Sequence, residues 1–232
     1  MIGGVLIAAA VVVLYIPWLG FFDLREIVVK GNHYLSREEI VAASGFRVGS
    51  SLLRMPVRHA LKVTSKHPWV KEVSIRRVFP HTAEISIRER TPIAVISDPE
   101  GENSLLVVAE GGVIVQRVSE VSSPILSIRG GRLTGANLGA QLTDPGMIVA
   151  LERLHQRRLN AGAFHLADFS DPSAVMLYTQ DGLEVALGPV DGIEARIDAL
   201  TALLATLNPA DYRSIDLRFG GEATLVPRKV VK

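Results

Sequence analysis

The side chains able to do chemistry are scattered in this sequence. Histidines stand at 33, 59, 67, 81, 155 and 165, and no two share a spacing that ligates a metal. Cysteine is absent, which removes thiol nucleophiles, Cys-ligated metals and disulfides together. Asp168 and Asp171 flank Ser170 and could be drawn as an acid–base pair, but strand residues followed by an Asp-Pro turn explain them more simply. No nucleophile elbow, phosphate loop or dinucleotide fingerprint occurs, and the glycine pairs fall where hairpins turn. The expectation is a chain with no catalytic residue, no metal, no cofactor and no small-molecule substrate. Arg54, Arg58, Lys62 and Lys66 recur every fourth residue and would line one helix face. Such a stripe is usually a solvated face. Its functional alternative is attraction to anionic lipid, and nucleic acid is not expected because no aromatic platform accompanies the patch.

The elements that must hold these residues are legible in order. Met1–Phe22 has no charged side chain, and about 20 apolar residues match a bilayer-spanning helix. Tyr15, Trp18, Phe21 and Phe22 cluster at its end like an interfacial belt. A cleavable signal would need a basic start and a small-x-small site, which the stretch lacks. Mean hydropathy of +0.28 is high because of this segment. Beyond it, Asp23–Thr91 carries thirteen Lys/Arg against seven Asp/Glu, whereas the remainder has twelve against seventeen. One end is basic and the other acidic.

Ile27–Val29 reads as a strand, and Ser36-Arg37-Glu38-Glu39 as a capping box opening a helix that Gly45 stops. A second helix spans about Pro56–Lys66. Val73 and Ile75, then Ala83, Ile85 and Ile87, alternate with polar residues in two strands around Phe79-Pro80-His81. Pro68 and Pro92 bound this hairpin. Past Pro92 come short strands at Ile93–Ser97, Leu105–Ala109, Val113–Val115 and Pro124–Arg129. Asp144 caps a helix with Pro145 at its first position, running to about Asn160. Phe164–Asp168, Ala174–Thr179 and Leu183–Gly188 are further strands. Asp191 to Glu194 opens a last helix with Ile193, Ile197, Leu200, Leu203, Leu204 and Leu207 on one stripe, and Pro209 stops it. Ser214–Phe219 closes the series as a strand.

Pro-Trp-Val at 68–70, the Arg77 to Pro80 turn and Arg-Glu-Arg-Thr-Pro at 88–92 resemble the hairpin of a POTRA domain in the FtsQ/DivIB family of bacterial cell-division proteins. Strand, helix, helix, strand, strand is the POTRA order. The helix, proline break and Ile-Asp-Leu-Arg-Phe near the end resemble the family's C-terminal lobe, so the likeness covers nearly the whole chain. It implies an α+β protein with an anchor over 1–22, a POTRA domain over 23–91, a β-rich domain with flanking helices over 92–220 and a tail over 221–232. It further implies a non-catalytic scaffold at the division septum, held in the inner membrane by one helix with its bulk periplasmic. Such a scaffold links early and late division proteins, regulates septal peptidoglycan synthesis and recruits an FtsB/FtsL-like pair among other divisome membrane proteins. An envelope hydrolase with a POTRA-like accessory domain is the rival, and it would require a nucleophile with a base. Transporters that join POTRA domains to a barrel are longer.

Partner binding is expected on the last strand. Ile215, Leu217 and Phe219 should point inward and hold the strand, with Ser214, Asp216 and Arg218 outward where a partner could read them and Tyr212 close enough to add a ring; the expected partner-binding set is Tyr212, Ser214, Asp216 and Arg218, together with Phe219 at the strand's end. Serine stands at 214 where some relatives carry an aromatic contact residue. The strand's edge is expected to be open unless Glu222–Val226 folds back upon it.

Overall fold

A computed structural model describes residues 20–101, 104–120, 125–159, 163–219 and 222–228. The chain divides into two compact units that meet between Arg90 and Thr91. The anchor expected over residues 1–22 lies, apart from Gly20 to Phe22, outside the described residues. Among the described residues no helix is long and apolar enough to cross a membrane.

The first unit runs β1 (Glu26–Lys30), α1 (Arg37–Ser44), α2 (Val57–Thr64), β2 (Val70–Val78) and β3 (Thr82–Glu89). β3 is the middle strand, parallel to β1 and antiparallel to β2. Its alternation buries Ala83, Ile85 and Ile87 as expected. Val73 and Ile75 are only half-buried, because β2 is an outer strand with a wet flank. The capping box forms in full: the Ser36 hydroxyl accepts from the Glu39 N–H at 3.2 Å, and the Glu39 carboxylate accepts the Ser36 N–H at 2.8 Å. Gly45 ends α1 in the left-handed region. The Glu89 carboxylate gathers the backbone N–H groups of His33, Tyr34 and Leu35 at 2.7–2.9 Å. That grip places Tyr34 flat against Trp69, the rings 4.3 Å apart.

The second unit is one nine-stranded sheet covered on one face by two helices. Its elements are β4 (Pro92–Ser97), β5 (Leu105–Ala109), β6 (Val113–Val118), β7 (Leu126–Arg129), α3 (Pro145–Gln156), β8 (Leu166–Asp168), β9 (Val175–Tyr178), β10 (Glu184–Gly188), α4 (Ile193–Leu204), β11 (Tyr212–Asp216) and β12 (Thr224–Pro227). The spatial order is β12-β11-β10-β9-β8-β7-β4-β5-β6. Ile96, Ile128, Ala167, Leu177, Val185, Ile215 and Leu225 stand opposite one another from strand to strand in one continuous row. Against this side pack Met147, Leu151 and Leu154 of α3 and Ile193, Ile197 and Leu200 of α4. Asp198 joins the helices by accepting from the guanidinium groups of both Arg153 and Arg157. Those bonds hold its carboxyl at about 2.

Three expectations change here. Asp191 does not cap the last helix: Gly192 occupies that position in the left-handed region, and the Asp191 carbonyl accepts from Arg196 instead. The final expected strand begins at Tyr212 and ends at Asp216, two residues earlier than Ser214 and three earlier than Phe219. The expected open edge is occupied, because Thr224–Pro227 pairs antiparallel with β11. The stretch assigned to a tail thus supplies the outer strand of the sheet.

Candidate partner-binding surface

β11 lies between β10, to which it runs parallel, and β12. Its register explains which side chains can be read from outside. Ile215 faces the helices and is fully buried, and Leu217, beyond the strand end, is buried as well. Ser214 and Asp216 face away, opposite Val226 and Thr224. The pairing shifts by one residue between Tyr212 and Ser214, a bulge at Arg213. A bulge reverses the alternation that follows it, so Tyr212 returns to the side of Ile215 and packs half-buried against the core. It therefore supports the surface from behind, whereas it was expected to present a ring.

Phe219 departs in the opposite sense. It was expected to anchor the strand, yet it is 72% exposed, because regular pairing ends at Asp216 and no strand continues its alternation. The Arg218 guanidinium lies 5.5 Å from its ring centre. Arg218 turns back on Asp216, donating from Nε at 3.0 Å and from Nη2 at 2.6 Å, while the Arg218 N–H bonds the same carboxylate at 3.0 Å. These bonds hold the Asp216 carboxyl below its usual range and raise the guanidinium above its own. Arg218 is thereby pre-positioned, with half its side-chain surface still exposed. Of the five expected residues, Ser214 and Asp216 face outward on the strand, Arg218 and Phe219 are exposed beyond its end, and Tyr212 packs toward the core.

The expectation omitted β12 from the binding set. It is the terminal strand in the sheet order, with Val226 44% exposed and Leu225 packed inward against the core. Arg228 fastens its end, donating its backbone N–H to the Asp211 carbonyl at 2.8 Å and a guanidinium N–H to the Asp181 carbonyl at 2.6 Å. The signal for it was a Gly-Gly pair followed by Thr-Leu-Val, a short strand after a hairpin turn.

The residues first considered for chemistry serve turns. Asp168 accepts from the Ser170 N–H at 2.9 Å and pairs with Arg129, while Asp171 bonds Ser173 through both hydroxyl and N–H. Burial pushes the Asp168 carboxyl up, but Ser170 and Arg129 outweigh it and hold it low; the Ser173 bonds lower Asp171 as well. A general acid at neutral pH needs the reverse shift. Among the described residues no group of three His, Asp or Glu side chains is arranged to hold a metal ion.

Comparison with known proteins agrees with this architecture. Residues 22–90 match the family described as POTRA domain, FtsQ-type, and residues 95–218 match Cell division protein FtsQ/DivIB, C-terminal. The chain is 30% identical over 210 residues to the cell division protein FtsQ of Geobacter sp. (strain M21), covering 83% of this chain and 72% of that one. It is 24% identical over 203 residues to the cell division protein DivIB of Bacillus cereus, covering 85% and 74%. It is 20% identical over 209 residues to DivIB of Clostridium botulinum, covering 87% and 80%. With both domains matched in order, the chain belongs to the FtsQ/DivIB family of cell-division proteins.

Proposed function

We propose that this protein is a non-catalytic scaffold of the division complex, anchored in the inner membrane through its N-terminal segment, with the two described units outside the cytoplasm at the septum. It recruits an FtsB/FtsL-like partner through the end of its C-terminal sheet, and so connects early to late division proteins and regulates septal peptidoglycan synthesis. The observation that carries this reading is the outer position of β12 beside the outward row of β11. A sheet edge offers backbone N–H and C=O groups to an added strand, while neighbouring side chains select the sequence. Thr224 and Val226 would flank the added strand, Ser214, Asp216, Arg218 and Phe219 would extend the contact from one strand further in, and Tyr212 would hold that strand from the core side.

The test is binding of the partner's soluble segment to the full-length protein in detergent. Truncation after Gly220 removes β12 and should abolish binding, and Arg218→Ala should weaken it roughly tenfold, the scale of a charge-assisted contact. Unchanged affinity in both variants would move partner recruitment to the POTRA unit.

A further inference from the structure

One end of the POTRA unit is built unlike the rest of its surface. The chain arrives there at Gly20 to Asp23, and the surrounding backbone closes around it. The Phe22 carbonyl accepts from the Leu52 N–H, the Leu24 N–H bonds the Ser50 carbonyl, and the Arg25 N–H bonds the His81 carbonyl, all at 2.8 Å. The α1–α2 loop and the β2–β3 turn are thereby fixed beside the arriving chain. Their tips are apolar. Among the described residues of this unit seven large apolar side chains are exposed, and five of them, Phe21, Val48, Leu53, Val78 and Phe79, lie at this end. The rings join up: Phe22 meets Phe79 edge-on at 5.8 Å, and Phe21 meets both Phe22 and His81. A groove of about 690 Å³ beneath Phe79, between the start of α2 and β2, is walled by Met55 and Ile75 and rimmed by Arg58 and Arg77.

Charge completes the pattern. Arg25, Arg47, Arg54 and Arg58 are exposed around these side chains, against Asp23 and Glu26. An exposed apolar patch on an otherwise polar unit marks a contact surface. Aromatic tips within a ring of cations are suited to the boundary between headgroups and acyl chains. The apolar, uncharged sequence up to Phe22 ends at this same pole.

We infer that this pole is a lipid-docking surface: Phe79, Val78 and Leu53 dip into the headgroup layer of an anionic bilayer while the arginines pair with lipid phosphates. The POTRA unit is then seated on the membrane surface and does not swing on a tether. The inference rests on the membrane-anchored reading above, and the partner it takes is phospholipid of negative charge.

The lack of native cysteine permits single labelling sites. Val78→Cys at the pole and Tyr34→Cys at the opposite end are each introduced into the full-length protein and labelled with an environment-sensitive dye. Both are reconstituted into vesicles of phosphatidylcholine alone or of equimolar phosphatidylcholine and phosphatidylglycerol. Quenching by headgroup-nitroxide lipid should be strong at 78 in the anionic vesicles and weak at 34. The added variant Arg58→Ser should lower the docked-to-free ratio about fivefold, the effect of one cation near an anionic surface. Near-ultraviolet circular dichroism confirms that each variant keeps its packing. Alkaline carbonate extraction of the same vesicles separates the two readings. Release of the protein overturns the anchor and this inference together. Retention with equal quenching at 78 and 34 overturns the docking alone and assigns the pole to a protein partner. Quenching at 78 that ignores phosphatidylglycerol and Arg58→Ser overturns the part assigned to charge.

Discussion

Replacing Trp69 by alanine tests how the POTRA unit is held together. Trp69 is 7% exposed, and its ring lies at 18° to that of Tyr34. Deleting a buried ring of this size costs about 3–5 kcal/mol, combining lost transfer energy with the cavity left behind. Tyr34 is 57% exposed, so its own hydrophobic contribution is small, and its loss should register mainly as the ring contact, about 0.5–1.5 kcal/mol. The double variant should therefore cost less than the two singles together by about that coupling. A chain of two units need not melt as one, so the suitable assay is amide hydrogen exchange of Ile85 and Ile87, on the central strand. Trp69→Ala should accelerate that exchange by about two to four orders of magnitude at 1.4 kcal/mol per tenfold. Acceleration below tenfold would refute the burial argument, and additive single variants would refute the stacking argument.

Glu84 on β3 is paired with Arg76 and Lys30, and those hydrogen bonds hold its carboxyl at about 2, from an ordinary value of 4.5. Since the folded value lies below the unfolded one, its stabilisation is complete above about pH 4.5 and is lost as pH falls through about 2. Glu84→Gln should flatten the stability profile of this unit across that window, and an unaltered slope on acid titration would refute it. Gly31 has φ of 82°, and a Cβ there would lie 2.1 Å from the Ile87 carbonyl oxygen. Gly31→Ala should cost at least about 1–2 kcal/mol from the left-handed conformation alone, read as a lowered urea midpoint for the first unit; an unchanged midpoint would mean that the turn relocates freely.

Local chemistry made the first unit readable. Ser36 and Glu39, Gly45, and the two-residue alternation through Ile85 each specify one local geometry, and those geometries appear as expected. Partial exposure of Val73 and Ile75 was not legible, since alternation identifies a face but not whether the strand is outer or central. The same limit governed the C-terminal surface. Ile215 and Leu217 were read correctly: Ile215 faces the core within the paired register, and Leu217, one residue past it, keeps that direction through its N–H bond to the Ala186 carbonyl. Tyr212 and Phe219 were misplaced because a bulge at Arg213 and the end of pairing after Asp216 reset the count, and neither leaves a mark in residue type. The closing of the edge by β12 depends on whether four residues find a partner strand, a tertiary outcome that the composition of Thr224–Pro227 does not decide alone.

The parallel neighbours β1 and β3 have a mechanical meaning. The polypeptide arrives in the first unit at the leading end of β1 and departs from the trailing end of β3, and the two strands are paired side by side from Glu26 with Thr82 to Lys30 with Ser86. Tension along the chain would pull these strands past each other along their length. Sliding of that kind loads every rung between them at once, whereas an antiparallel hairpin pulled at its open end unzips one rung at a time. Glu89, just before the exit, also grips the loop that follows β1, so it adds a clasp at the point of departure. A unit wired in this way should resist tension between its two ends better than the same strands would if they were pulled apart as a hairpin.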